Sequence, residues 1–255
     1  MNRWRYILGM VILVCLIGLP GTLQAQTQAA TDPGGLNLSL RLGDEAGDLD
    51  IGVAIQIVIV MTLLAVAPAL VMLTTSFLRI IIVLGFLRNA LGLQSTPPNQ
   101  VLVGIAVFLS FFLMMPIAEK INQTALIPLE NKAISSTEAL ELAKEPLREF
   151  MLKQASADDL EYFMQLASMP PTMAEDLPMR VVIPAFVVGE LRRAFQMGFL
   201  IFLPFLVVDF VVATVLMAMG MMMMPPVIVS LPFKILLFVL ADGWFLVLSS
   251  LASSF

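Results

Sequence analysis

The chain has 255 residues, 59% of them hydrophobic and 13% charged, with a formal net charge of −5. Soluble domains carry about a quarter charged residues, so this is the composition of an integral membrane chain, and its acidic balance offers no footing for nucleic-acid phosphates. Histidine is absent and cysteine occurs once, at Cys15, which removes the commonest metal ligand, the commonest general base and any internal disulfide.

Arg3 and Arg5 precede an apolar run over residues 7–19, which Pro20-Gly21 breaks just before Leu23-Gln24-Ala25. That order of charge, apolar core, breaker and small residue predicts a signal peptide over residues 1–25, too short for a span of ~20 residues. Its removal would take Cys15 with it and leave the new N-terminus outside the cytoplasm. Residues 26–50 read as a polar leader in which Leu36, Leu38, Leu40 and Leu42 alternate at strand period.

Residues 51–77 are the first long apolar segment, with Pro68 inside it, and residues 79–88 continue it. Gln94-Ser95-Thr96-Pro97-Pro98-Asn99 signals a turn, and residues 101–117 are the second apolar segment. Arg79 and Arg88 beside the turn place it in the cytoplasm by the positive-inside rule. Residues 51–118 are therefore expected to form an apolar helical hairpin.

Residues 119–182 are different material, holding about half of all the charged residues and no glycine. Leu140, Ala143, Leu147, Phe150 and Met151 fall at helical spacing, and Ser135 with Glu138 makes a capping box. Ser156 starts a second helix through Leu166, while Pro146 is expected to kink or divide the first. An even number of spans puts this small helical domain on the exported, periplasmic side. So short a segment buries little core alone, so Phe150 and Phe163, with Tyr162, are expected at subunit contacts. The alternative is a self-contained helical hairpin.

Residues 183–255 form the second apolar hairpin. The stretch 181–224 would be about 66 Å long as one helix, twice a bilayer core, so kinks are expected at Pro184 and Pro204. Glu190 and Arg193 make a local i,i+3 pair. The loop 217–226 holds Met217, Met219, Met221, Met222, Met223 and Met224, six of the chain's 18 methionines. Four in a row cannot share one helix face, and Pro225-Pro226 follow at once, so the run reads as the frayed end of one helix turning into the next. Thioethers adapt to objects of different shape, and copies of this loop meeting on an axis would form a soft constriction. The plainer alternative is apolar filler. Folding the two segments about Met221-Met222 puts Asp209 and Lys234 at one depth, about 19 Å from the turn, where they are expected to pair within the hairpin or with the next copy around a ring. A proton relay or ion site is the alternative there. Asp209 and Asp242 lack the Gly-x-Gly-Asp setting of intramembrane aspartyl proteases, and no cofactor motif appears.

Arg79-Ile80-Ile81-Ile82-Val83-Leu84, Leu87-Arg88-Asn89-Ala90-Leu91-Gly92 and Thr96-Pro97-Pro98-Asn99-Gln100-Val101-Leu102 resemble the first half of the FliP family of type III export-gate subunits. Ile183-Pro184-Ala185-Phe186, Glu190-Leu191, Ala194-Phe195-Gln196-Met197-Gly198-Phe199, the run 217–226, Leu231-Pro232-Phe233-Lys234 and Ala241-Asp242-Gly243-Trp244 resemble its second half. The resemblance implies a non-enzymatic core subunit of the flagellar export gate in the bacterial inner membrane. It implies five copies assembled with FliQ and FliR, beside FlhB and FlhA, into a closed helical conduit for unfolded flagellar subunits. It also implies that the methionine loop is the gasket, and that the hairpins pack mainly on one another, even above the membrane plane. The expected fold is an all-α membrane protein, two apolar helical hairpins with a small helical exported domain between them. A proton- or ion-conducting channel or transporter subunit is the alternative function.

Overall fold

The computed structural model describes residues 51–255 apart from Gln94, Pro171, Met222 and Met223, and without the side chains of residues 51–57 and Glu175. The signal peptide 1–25, with Cys15, and the leader 26–50, with its alternating leucines, lie outside the described residues. Every regular element among the described residues is helical, and the protein is an all-α membrane protein. By its internal contacts the chain divides between Ala69 and Leu70.

Helix α1 (Ile51–Leu73) carries Pro68 without interruption. The expected continuation through residue 88 does not occur. At the break the Thr74 hydroxyl donates to the Leu70 carbonyl at 2.9 Å and the Thr75 hydroxyl to the Met72 carbonyl at 3.2 Å, supplying donors to the last carbonyls of α1. A new helix, α2 (Phe77–Ala90), starts behind Ser76. It folds back on α3 (Asn99–Ile121), which runs through a π-helical turn, Asn122–Leu126, into the short α4 (Ile127–Glu130). The Ser76 hydroxyl donates to that of Ser110 at 3.1 Å inside this hairpin.

The middle segment contains α5 (Ser136–Gln154) and α6 (Ala157–Leu166). The Ser135 hydroxyl accepts from the Glu138 N–H at 3.3 Å and starts α5. Pro146 does not divide this helix. The proline is buried, with Ala139 and Met151 buried on either side of it in sequence, and that packing outweighs one missing backbone hydrogen bond. Beside α3, Glu149 accepts from Lys153 at 2.8 Å and from Lys120 at 3.1 Å. These two ammonium groups, Lys153 first, hold its carboxyl below the usual range. The tie is therefore present above the ordinary carboxylate pKa and lost as pH falls through the lowered value.

Helix α7 (Met179–Ala218) runs for 40 residues, about 60 Å, through both Pro184 and Pro204 without a break. It is followed by α8 (Pro226–Leu240) and α9 (Gly243–Ser253), which meet at 63°. By length and composition Asn99–Glu130 and α7 are each able to cross a membrane, and α1–α2 and α8–α9 each do so if a broken pair counts as one span.

Two cores hang on α7. In the first, Ile80, Val83, Leu84 and Leu87 of α2 fall on one helical stripe and pack with Ala106, Ala194, Phe205, Phe238 and Leu251. In the second, Met151, Leu160 and Leu177 pack on Val182, Ala185 and Phe186. The middle segment thus completes its core with the first turns of α7 instead of standing alone. Phe150 and Phe163, expected at subunit contacts, are half-buried against this core, and the Phe150 ring lies 5.8 Å from that of Phe186.

Helices α2 and α7 are parallel, since Arg79 meets Glu190 while Phe86 further along meets Phe195, with ring centroids 5.3 Å apart. Their close approach depends on Gly198, where an added Cβ would lie 2.5 Å from Phe86 Cδ2. Overpacking of this kind costs about 1–3 kcal/mol. Gly198→Ala is expected to lower the thermal unfolding temperature of the detergent-purified chain, and Phe86→Ala added to it to recover part of the loss. An unchanged melting temperature in Gly198→Ala would contradict the contact.

Candidate functional site

Arg79 stands on the first turn of α2 and is 1% exposed, an expensive place for a permanent charge. All five of its N–H groups find acceptors. Nε donates to Glu190 Oε2 at 2.7 Å and Nη2 to Glu190 Oε1, so the pair is bidentate. Nη2 also donates to Gln154 Oε1 at 3.1 Å, and Nη1 donates to the Ser254 main-chain oxygen and to Ser254 Oγ, both at 2.8 Å. The Phe255 ring covers the guanidinium at 3.8 Å. Gln154 completes the cluster, donating from Nε2 to the Phe255 main-chain oxygen at 2.9 Å and accepting from Arg193 Nη1 at 2.6 Å. Glu190, fully buried, therefore has Arg79 as its closest cation, with the expected partner Arg193 at 3.7 Å. Next to it in sequence, Arg192 reaches across to Asp159 on α6 at 2.7 and 3.2 Å.

A second polar cluster lies nearer the methionine loop. Lys234 of α8 is 2% exposed and donates to Asp209 Oδ2 of α7 at 2.6 Å. Its ammonium also donates to the carbonyl of Ala90, the last residue of α2, at 3.2 Å. That places a positive charge on the negative end of a helix dipole. Ser230 donates to the other carboxylate oxygen, Asp209 Oδ1, at 2.5 Å. Three helices are thereby tied at one point by one ion pair.

The loop beyond this cluster is sharply formed where it is described, which corrects the expectation of a frayed helix end. Gly220 has φ +78°, and its N–H bonds the Met217 carbonyl while the Met221 N–H bonds the Leu216 carbonyl, both at 3.0 Å. This is a Schellman stop, available because glycine takes the left-handed conformation freely. Met217, Met219, Met221 and Met224 range from 40% to 67% exposed. Met222 and Met223 lie outside the described residues.

Sequence reasoning anticipated Asp209 and Lys234 at one depth, and they lie in direct contact within the chain. It missed Arg79 as the partner of Glu190, and with it Gln154, Ser230, Ser254 and Phe255. One signal was present. Arg79 is an isolated charge in an apolar run and demands a partner of opposite sign.

Residues 60–251 match the model of the FliP family. The chain belongs to the FliP family. It is 52% identical over 202 residues to the flagellar biosynthetic protein FliP of Bacillus subtilis, covering 79% of this chain and 91% of that protein. It is 52% identical over 203 residues to that of Pectobacterium carotovorum, covering 79% of each chain. Over 235 residues it is 45% identical to that of Borreliella burgdorferi, covering 91% of this chain and 92% of that one. In this FliP-family chain Arg79, Glu190, Asp209, Lys234 and the methionine loop all fall inside the matched range, whereas Ser254 and Phe255 lie just past it.

Removing one partner of a buried pair strands the other charge at about 3–5 kcal/mol. Arg79→Ala and Glu190→Ala are each expected to cost that much in unfolding measurements, and the double variant less than their sum. Arg79→Lys is expected to remain defective, because three N–H groups cannot serve five acceptors. Strict additivity of the two alanine variants would refute the coupling.

Proposed function

We propose that this chain is a core subunit of the flagellar protein export gate in the bacterial inner membrane. In this reading five copies assemble with FliQ and FliR, beside FlhB and FlhA, into a closed helical conduit for unfolded flagellar subunits. The observation that carries it is membership of the FliP family, with relatives of nearly matching length named as flagellar biosynthetic proteins. The middle segment lies on the periplasmic side.

The chain's physical chemistry suits the task. A gate needs a rim that deforms around passing side chains and a base that does not. The rim is the loop 217–226, whose thioether side chains are unbranched and polarisable and repack at little cost. The base is the contact of Asp209, Ser230, Lys234 and the Ala90 carbonyl, which holds α7 and α8 together behind the loop. Exposed apolar side chains along α7 and α8, among them Phe199, Phe210, Phe233 and Leu240, require lipid or neighbouring subunits to cover them.

Replacing Met221, Met222, Met223 and Met224 with Ala is expected to raise the ion conductance of membranes carrying the assembled complex while protein export persists. Leu replacements are expected to keep the resting seal but slow export, since branched side chains of similar volume adapt less. Conductance identical in wild type and the Ala variant would remove the gasket. Saturable uptake of a small solute by the chain reconstituted alone would favour the transporter reading instead.

A further inference from the structure

A cavity at the end of α6 lies apart from both charge clusters and from the methionine loop. It is an open groove of about 510 Å³, and Met164, Met169 and Met173 line it together with Glu161, Gln165 and Thr172. We propose that the three methionines form a thioether site for a soft monovalent cation of the Cu(I) or Ag(I) class.

Local backbone geometry brings the three methionines to one groove. Helix α6 stops at a left-handed residue, Ser168 with φ 53°. The Ser168 N–H bonds the Gln165 carbonyl at 3.0 Å and the Met169 N–H bonds the Met164 carbonyl at 3.1 Å. This pattern sets the residue that opens the last turn beside the residue that follows the stop, and the two are Met164 and Met169. Met173 comes to the same cavity from the other side, at the start of the 3₁₀ turn Ala174–Asp176.

The groove is open to solvent, and Met173 is 78% exposed. An exposed thioether forgoes burial and remains accessible to an ion. Thioether sulfur is neutral and unprotonated at any physiological pH, so ligation releases no proton. It selects soft monovalent metals over Mg²⁺ and Ca²⁺, which take oxygen ligands. The Glu161 carboxylate in the same wall, held by Gln165 Nε2 at 3.2 Å, supplies a negative charge to balance the cation. Binding consists only of lone-pair donation from sulfur, with no change of oxidation state. The site does not depend on the export-gate reading.

The test titrates the full-length chain, purified in detergent, with Ag(I) in chloride-free buffer and follows bound ions by native mass spectrometry. Cu(I) is titrated anaerobically against a chelating competitor. The near-isosteric triple variant Met164→Leu, Met169→Leu, Met173→Leu is compared with wild type and with a variant carrying Leu at Met217, Met219, Met221 and Met224. The triple variant is expected to bind one ion fewer, while the loop variant retains that ion. Met173→Leu alone, a change at an exposed position that leaves folding unaffected, is expected to weaken binding of that ion at least threefold. Equal stoichiometry and affinity in wild type, Met173→Leu and the triple variant would overturn the proposal, as would displacement of Ag(I) by equimolar Mg²⁺.

Discussion

A permanently charged guanidinium with no access to water is the constraint on which the rest of this structure depends. A buried guanidinium needs acceptors for all its N–H groups, and the elements around Arg79 supply them. Glu190 comes from α7, Gln154 from the end of α5, and Ser254 and Phe255 from the residues after α9. Four regions far apart in sequence thus share one polar centre in an otherwise apolar interior. Hydrophobic packing among membrane helices is non-directional and tolerates sliding. A planar fork with five donors does not. The pair sets which residue of α2 faces which residue of α7, and the contact of Phe86 with Gly198 follows from that register.

The second ion pair repeats the logic at the other end of α2. Lys234 satisfies both Asp209 and the free carbonyl at the end of that helix, so α2 is held at its first turn and at its last. Helix α7 is the common member of the two clusters and of the two hydrophobic cores. Its unbroken 40-residue run connects the middle segment to the methionine loop through one continuous helix. Pro184 and Pro204 each remove a backbone hydrogen bond without ending the helix. For a gate subunit as proposed, this concentrates compliance in the side chains of the loop and leaves the backbone behind it firm.

The methionine loop shows how rigidity and softness are divided at the scale of a few residues. Its backbone stops α7 through the hydrogen bonds around Gly220, so the loop leaves the helix in a defined direction. Its described side chains are largely exposed within the single chain. A soft seal needs that combination, because a frayed backbone would let the rim wander, while rigid side chains would not close around varied shapes.

The sequence by itself determined the class of the protein, its two apolar hairpins and the pairing depth of Asp209 and Lys234. Those follow from composition, from the length a helix needs, and from the cost of an isolated charge in apolar surroundings, all of which act locally. Residues 79–102 and 183–244 also carried the family resemblance in long uninterrupted motifs. The tertiary structure alone decided the closest partner of Glu190, Arg79. Arg193, one turn away on the same helix, does lie within ion-pair distance at 3.7 Å, as local spacing gives, but the bidentate partner Arg79 arrives from α2. The same holds for the core of the middle segment, which α7 completes, and for Phe150, whose ring packs on Phe186 and stacks on Phe255. Helical periodicity shows which face of a helix is apolar. It does not show which distant helix covers that face, because that choice is made by shape and charge complementarity that exist only after the chain has folded.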